Sequence, residues 1–172
     1  MRAPEFSRPL RLGTVGPSGR QLHLQAEAGE REALARRFDL HGIEALAASL
    51  DLRPEPGGTI RVRGRLLAEV VQSCVVTLEP VATRVDAPLD LRLLPDGQEP
   101  ADEDPDSPDE IESPGDVADL GEALAEQLAL ALDPYPRAPG AQLPEGTQDA
   151  EEPETAPARP NPFAALKSLK PR

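Results

Sequence analysis

Tryptophan is absent from this chain of 172 residues, tyrosine and cysteine occur once each, and phenylalanine occurs three times. With so few aromatics, a core has to be built from Leu, Val, Ile and Ala, and only modest stability is expected of it. The lone cysteine, Cys74, excludes an intrachain disulfide and any structural zinc site assembled from several thiolates. No apolar run approaches the roughly 18 residues of a membrane-spanning helix, and no apolar stretch follows Arg2. A cytoplasmic location in a reducing compartment is the expectation. Also missing are a glycine-rich phosphate loop, a serine elbow and a dinucleotide fingerprint. The expectation is therefore a binding protein, with no catalytic residue, cofactor, metal or small-molecule substrate and no membrane partner.

Proline and acid are abundant instead: 21 prolines, 13 glycines and a net charge of −13. Divided along the chain, residues 1–94 carry +1, residues 95–158 carry −18 and residues 159–172 carry +4. An acidic middle and a basic tail attract each other over a Debye length of about 8 to 10 Å, or compete for one partner.

Residues 1–94 read as a β-rich core with two short helices. Strands are expected at 6–12 and 21–26, the second alternating polar and apolar after the Gly16-Pro17-Ser18-Gly19 turn. Helical spacing of Leu34 and Phe38 behind Glu30 and Glu32 predicts one helix, and residues 43–50 predict another. Residues 59–71 form the clearest strand, with Ile60, Val62 and Leu66 on one face and Arg61, Arg63 and Arg65 on the other. Residues 75–78 are expected to continue the sheet. A return strand is expected at 83–93, with Pro88 at an edge or bulge.

Residues 95–118 lose all periodicity and read as an acidic disordered linker. Asp119 suits the N-cap of an amphipathic helix over 120–132, packed on the core within a segment 119–133. A Pro-rich acidic linker at 134–160 leads to a short basic helix at 161–172. There Asn161 can cap, Pro162 suits the first helical position, and Phe163, Leu166 and Leu169 line one face beside Lys167 and Lys170. A helix so short gains stability by docking, so these residues are the expected partner-binding tail. The fold class is α+β: a twisted, mostly antiparallel sheet or partly closed barrel, two short helices, one longer C-terminal amphipathic helix and disordered acidic linkers.

Arg61, Arg63 and Arg65, with Arg84 and Arg92 on the neighbouring strand, form a candidate RNA-facing stripe; the bland alternative is a solvated strand face without stacking aromatics. Cys74 reads as a small buried hydrophobe on a strand, since a reactive thiolate needs a nearby base or positive field. His23 and His41 lack metal-ligand spacing, and the carboxylates from Asp102 to Glu112 lack the glycine of a calcium loop.

Three segments, in order, resemble the YceD-like family of large ribosomal RNA subunit accumulation proteins. They are Cys74-Val75-Val76-Thr77-Leu78-Glu79-Pro80, the helix with Leu120-Gly121-Glu122 and Glu126-Gln127-Leu128, and the terminal Asn161-Pro162-Phe163-Ala164-Ala165-Leu166-Lys167-Ser168-Leu169-Lys170. The resemblance implies a non-enzymatic bacterial or organellar protein serving accumulation of 23S rRNA, with a precursor of the large ribosomal subunit as partner, through rRNA or a ribosomal protein. Many members carry a second cysteine where this chain has Thr77, a departure that removes any paired-thiol chemistry. The alternative is an adapter, or a chaperone-like partner of a basic protein, unrelated to ribosomes.

Overall fold

A computed structural model of the chain describes residues 4–100 and 107–142. The elements are β1 (Pro9–Arg11), β2 (Arg20–Gln25), α1 (Ala28–Arg37), β3 (Gly42–Pro54), β4 (Ile60–Ser73), β5 (Pro80–Leu94), β6 (Asp109–Glu112), β7 (Val117–Asp119) and α2 (Leu120–Ala131). The fold is α+β. Five strands form one sheet in the order β2-β3-β4-β5-β6, antiparallel except for the parallel β5 and β6 pair, while β1 and β7 pair separately.

Alternation along β4 decides which face is the core. Ile60, Val62, Leu66, Ala68 and Val70 are buried, whereas Arg63, Arg65, Leu67 and Glu69 between them are exposed. Leu34 of α1 and Leu124 and Leu128 of α2 join those residues in one hydrophobic cluster with Phe6 and Leu10 of the N-terminal segment. Each fully buried Leu or Val contributes on the order of 1.5–3 kcal/mol, so a core that is mostly aliphatic, with Phe6 as its buried aromatic, holds the fold.

Four expectations are corrected. Residues 43–50 are not a helix but the first part of β3, a 13-residue strand whose inward positions are Ile43, Leu46, Ala48, Leu50 and Leu52. A register shift between Ile43 and Ala45 spaces Ile43 and Leu46 three apart, which imitates helical periodicity. Pairing on both sides then overrides the propensity of an Ala- and Leu-rich segment. Residues 75–78 do not extend the sheet: they form a turn, closed by the Leu78 amide donating to the Cys74 carbonyl at 2.9 Å and the Cys74 amide donating to the Glu79 carbonyl at 2.8 Å. The stretch 95–118, read as a structureless linker, contributes β6 and β7. Ile111 pairs with Leu93 in parallel register, and Ala118, buried, pairs with Leu10. Strands of four and three residues are too short to register as a period. The strand expected at 6–12 is confined to Pro9–Arg11.

Pro88 does lie at an edge. Opposite Arg65 of β4, it precedes the four residues of β5 that pair with β6, so its missing N–H breaks no ladder among the described residues.

Asp119 joins the two parts of the fold. Its carboxylate caps α2 by accepting from the Gly121 amide at 2.9 Å and the Glu122 amide at 3.3 Å. It also accepts from the Arg8 amide at 2.7 Å and the Ser7 hydroxyl at 2.5 Å. The N-terminal segment is thereby tied to the start of α2. Arg8 continues the tie, its guanidinium bridging both Glu30 oxygens at 2.6 and 2.9 Å while lying over the Phe6 ring.

Candidate functional site

Three groups of residues singled out by sequence fall in three places. The arginines stand on the open sheet face, Cys74 lies in the β4–β5 turn, and the Leu120-Gly121-Glu122 motif begins α2. The terminal motif, Asn161, Pro162, Phe163, Leu166, Lys167, Leu169 and Lys170, lies outside the described residues.

On the sheet face, strand register sets the electrostatics. Arg63 of β4 faces Asp90 of β5, and Glu69 faces Arg84. Arg61 reaches diagonally to Asp90 with two bonds of 2.8 Å, Arg63 approaches the same carboxylate at 3.4 Å, and Arg65 grips Asp86. Arg84 donates to Glu69 at 2.8 Å, while Arg92 joins Glu55 at 3.0 Å and Glu110 at 2.9 Å. Hydrogen bonding to Arg61 holds Asp90 below the usual carboxylate range, and Arg65 does the same for Asp86. The arginines are together, as alternation requires, but each is matched by a carboxylate. Solvent screens exposed pairs of this kind, so an incoming phosphate displaces a carboxylate at small cost while meeting a face of nearly balanced charge. The described aromatics, Phe6, Phe38 and Tyr135, lie outside these strands.

At the far end of β4 the chain after α2 folds back onto the Cys74 turn. Sulfur is fully buried and accepts three backbone N–H groups, from Val76 and Thr77 at 3.4 Å and from Ala138 at 3.3 Å. The Val75 amide donates to the Pro136 carbonyl at 2.9 Å, and Gln72 Nε2 donates to the Asp133 carbonyl at 2.9 Å. Hydrogen bonds from the Thr77 side chain first, then from the Ala138 and Thr77 amides, pull the thiol down to about 6 against the opposing effect of burial. Neither imidazole is a partner of this sulfur: His41 Nε2 meets Ser73 Oγ at 2.9 Å and His23 Nδ1 meets Ser49 Oγ at 3.0 Å. Neither ring is therefore placed to act as a base on the sulfur, which is buried. Among the described residues no group of three His, Cys, Asp or Glu is placed to hold a metal. Cys74 is a tie between the β4–β5 turn and the segment after α2, in a turn rather than on the strand expected for it.

That tie is pH-dependent. A thiol lowered on folding contributes stability that is fully present above its unfolded value near 9, and this is lost as pH falls through about 6. Thermal melts of the wild type and of Cys74→Ala are expected to diverge steadily between pH 6 and pH 9, the wild type gaining. Parallel melting curves across that interval would show that the sulfur stays protonated.

The remaining motif residues have structural partners. Leu78 and Glu79 complete the turn, and Pro80 opens β5 opposite Ser73. Gly121 lies against the Phe6 backbone, Glu122 takes both nitrogens of Arg37 at 2.7 and 2.9 Å, and Gln127 donates to Asp109 of β6 at 2.8 Å. Glu126 is exposed. Sequence reasoning missed the docking of the segment after α2, because the helical segment was expected to end at 133 and 134–160 to be a Pro-rich acidic linker. The one available signal was the apolar pair of Tyr135 and a proline that becomes buried, Pro136.

No helix among the described residues is long and apolar enough to cross a membrane. No curated protein and no solved structure matches the chain. A family model does, over residues 62–170, a span that begins in β4, includes the Cys74 turn and α2, and runs through the terminal basic motif. Since that is more than half of the sequence, the chain belongs to the family described as large ribosomal RNA subunit accumulation protein YceD.

Proposed function

We propose that this chain is a non-enzymatic cytoplasmic factor in ribosome biogenesis, supporting accumulation or processing of 23S rRNA by binding a precursor of the large subunit. Membership of a family described by large ribosomal RNA subunit accumulation is the observation that carries this reading. The direct contact is with rRNA or a ribosomal protein, through the tail at 161–172 and the Arg61, Arg63 and Arg65 face. Balanced charge on that face and −18 between residues 95 and 158 both weaken attraction to bare RNA. Phe163, Leu166 and Leu169 at helical spacing in the sequence, with Lys167 and Lys170 beside them, suit either partner.

Removing residues 161–172 in a strain that depends on this chain is expected to lower the ratio of 23S to 16S rRNA several-fold, toward that of the full deletion. Full restoration of 23S rRNA by the truncated chain would sink the tail as partner site. The acidic middle favours a second reading, an adapter or chaperone-like mask for a basic protein unrelated to ribosomes. Gradient sedimentation of cell extract separates the two. Co-migration with large-subunit precursors supports the first, and persistence at the top of the gradient at low salt supports the second.

A further inference from the structure

Strand β5 is paired with β4 from Pro80, opposite Ser73, to Leu93, opposite Ile60, without a register shift. On its other side β6 covers only Leu91 to Leu94. Pro80 to Asp90 therefore form an open edge, where no described residue outside β4 hydrogen-bonds to the backbone. Alternation fixes which groups point outward. The Leu94 carbonyl accepts from the Ser113 amide, just past β6, at 3.1 Å, so the even-numbered residues of β5 aim their N–H and C=O groups away from β4. Those of Ala82, Arg84, Asp86 and Asp90 meet no strand, and Pro88 falls in the same set, where its missing N–H costs the sheet nothing. An open edge of this length is a template for another strand. The opposite edge strand, β2, is only Arg20–Gln25, and Arg8 Nη2 already donates to its Gln25 carbonyl at 3.1 Å.

We propose that the open edge of β5 is a homodimer interface, in which two copies of the chain pair Pro80 to Asp90 antiparallel about a two-fold axis at Val85. Length and charge both select a second copy and this register. Crossing at Val85 sets Pro80 of each copy opposite Asp90 of the other, so the open stretch is used completely and ends where β6 begins. A centre at Ala87 drives Thr83 into the place held by β6 of the other copy, and a centre at Thr83 leaves part of the edge bare. Centres at Arg84 or Asp86 set each of those residues against itself. At Val85, Arg84 of one copy lies directly opposite Asp86 of the other, and the axis repeats the pair. Both side chains are free to reach across the joint, at 76% and 44% exposure. Because the axis is normal to the sheet, the two five-stranded sheets become one and present their Arg61, Arg63 and Arg65 faces on the same side. The proposal stands apart from the ribosome-biogenesis reading, since it needs only a second copy of this chain.

The test is sedimentation velocity of the full chain over a concentration series, with melting curves to follow the fold of each variant. The wild type is expected to pass from monomer to dimer as concentration rises. Arg84→Asp alone places two acids opposite each other, and Asp86→Arg alone places two bases. The axis repeats each clash, so either variant is expected to weaken dimerisation about tenfold or more. Combined in one chain, the two changes restore opposite charges across the joint and are expected to recover the wild-type association. Within a copy the same exchange sets like charges against Glu69 and Arg65, which bond Arg84 and Asp86, so recovery comes only from the other copy. Arg20→Asp, on β2, is expected to leave the dimer unchanged. A wild type that stays monomeric at every concentration would overturn the proposal. So would single variants that associate like the wild type, or a double variant that does not recover.

Discussion

Gly64→Ala is expected to destabilise the fold strongly. Gly64 sits in the middle of β4, opposite Leu50 on one side and Leu89 on the other. A methyl group built there falls 2.1 Å from the Ser49 carbonyl oxygen and 3.1 Å from the Leu50 Cα. Both are backbone atoms of the paired strand, so no side-chain rotation removes the clash; β3 has to move away from β4. Overpacking in a core typically costs 1–3 kcal/mol, and a backbone collision at the centre of the sheet belongs at or above about 3. Against a typical total of about 5–15 kcal/mol, and with Phe6 the one aromatic buried in the core among the described residues, that loss removes much of the stability. Denaturant melts of the variant are expected to show a midpoint shifted sharply down or no transition at all. A melting curve like the wild type's would mean that the two strands diverge at Gly64 in solution.

Gly121→Ala is the second large effect, and its sign opposes the ordinary rule. In a helix, exchanging glycine for alanine stabilises by about 1 kcal/mol. Here the added methyl lands 2.5 Å from the Phe6 carbonyl oxygen, 2.8 Å from its carbon and 3.0 Å from the Arg8 nitrogen. The N-terminal segment must lift from α2, losing the Leu120 amide bond to the Arg8 carbonyl and the Arg8 amide bond to Asp119, and uncovering buried Phe6. A net loss of roughly 2–4 kcal/mol is expected, with the residues around Phe6 becoming sensitive to protease. Gly29→Ala in α1 is the control: nothing lies within 4 Å of its methyl position, so it follows the ordinary rule and stabilises. If both substitutions stabilise, the packing of Phe6 on Gly121 is not the reason that glycine begins α2.

These two glycines show where sequence reading stops. The Leu120-Gly121-Glu122 motif was legible as part of a resemblance, and Asp119 as a cap, because capping is a local property of a few residues. That Gly121 makes room for Phe6 depends on a contact across more than 100 positions, for which no local pattern exists. Gly64 likewise meets the Ser49 carbonyl and the Leu50 backbone only through the pairing of β3 with β4.

The arginine stripe divides in the same manner. Alternation by itself put Arg61, Arg63 and Arg65 on one face and Ile60, Val62 and Leu66 on the other, because a strand's side chains alternate whatever it pairs with. Whether that face was cationic depended on Asp86 and Asp90, delivered by the register of β5. Helix against strand at residues 43–50 was decided by tertiary pairing, since the irregularity after Ile43 produced a spacing that both structures share.

The scarcity of aromatics, the single thiol, the charge division and the existence of β4, β5 and α2 were determined by sequence alone, because composition and short-range periodicity carry them. Tertiary structure decided what the scarce residues do. Cys74 receives the Ala138 amide from 64 positions away, and Tyr135, the one tyrosine, is left exposed beside the strained Leu78 turn. Hydrogen bonds and burial between distant segments depend on the path of the whole chain, and no window of neighbouring residues contains that path.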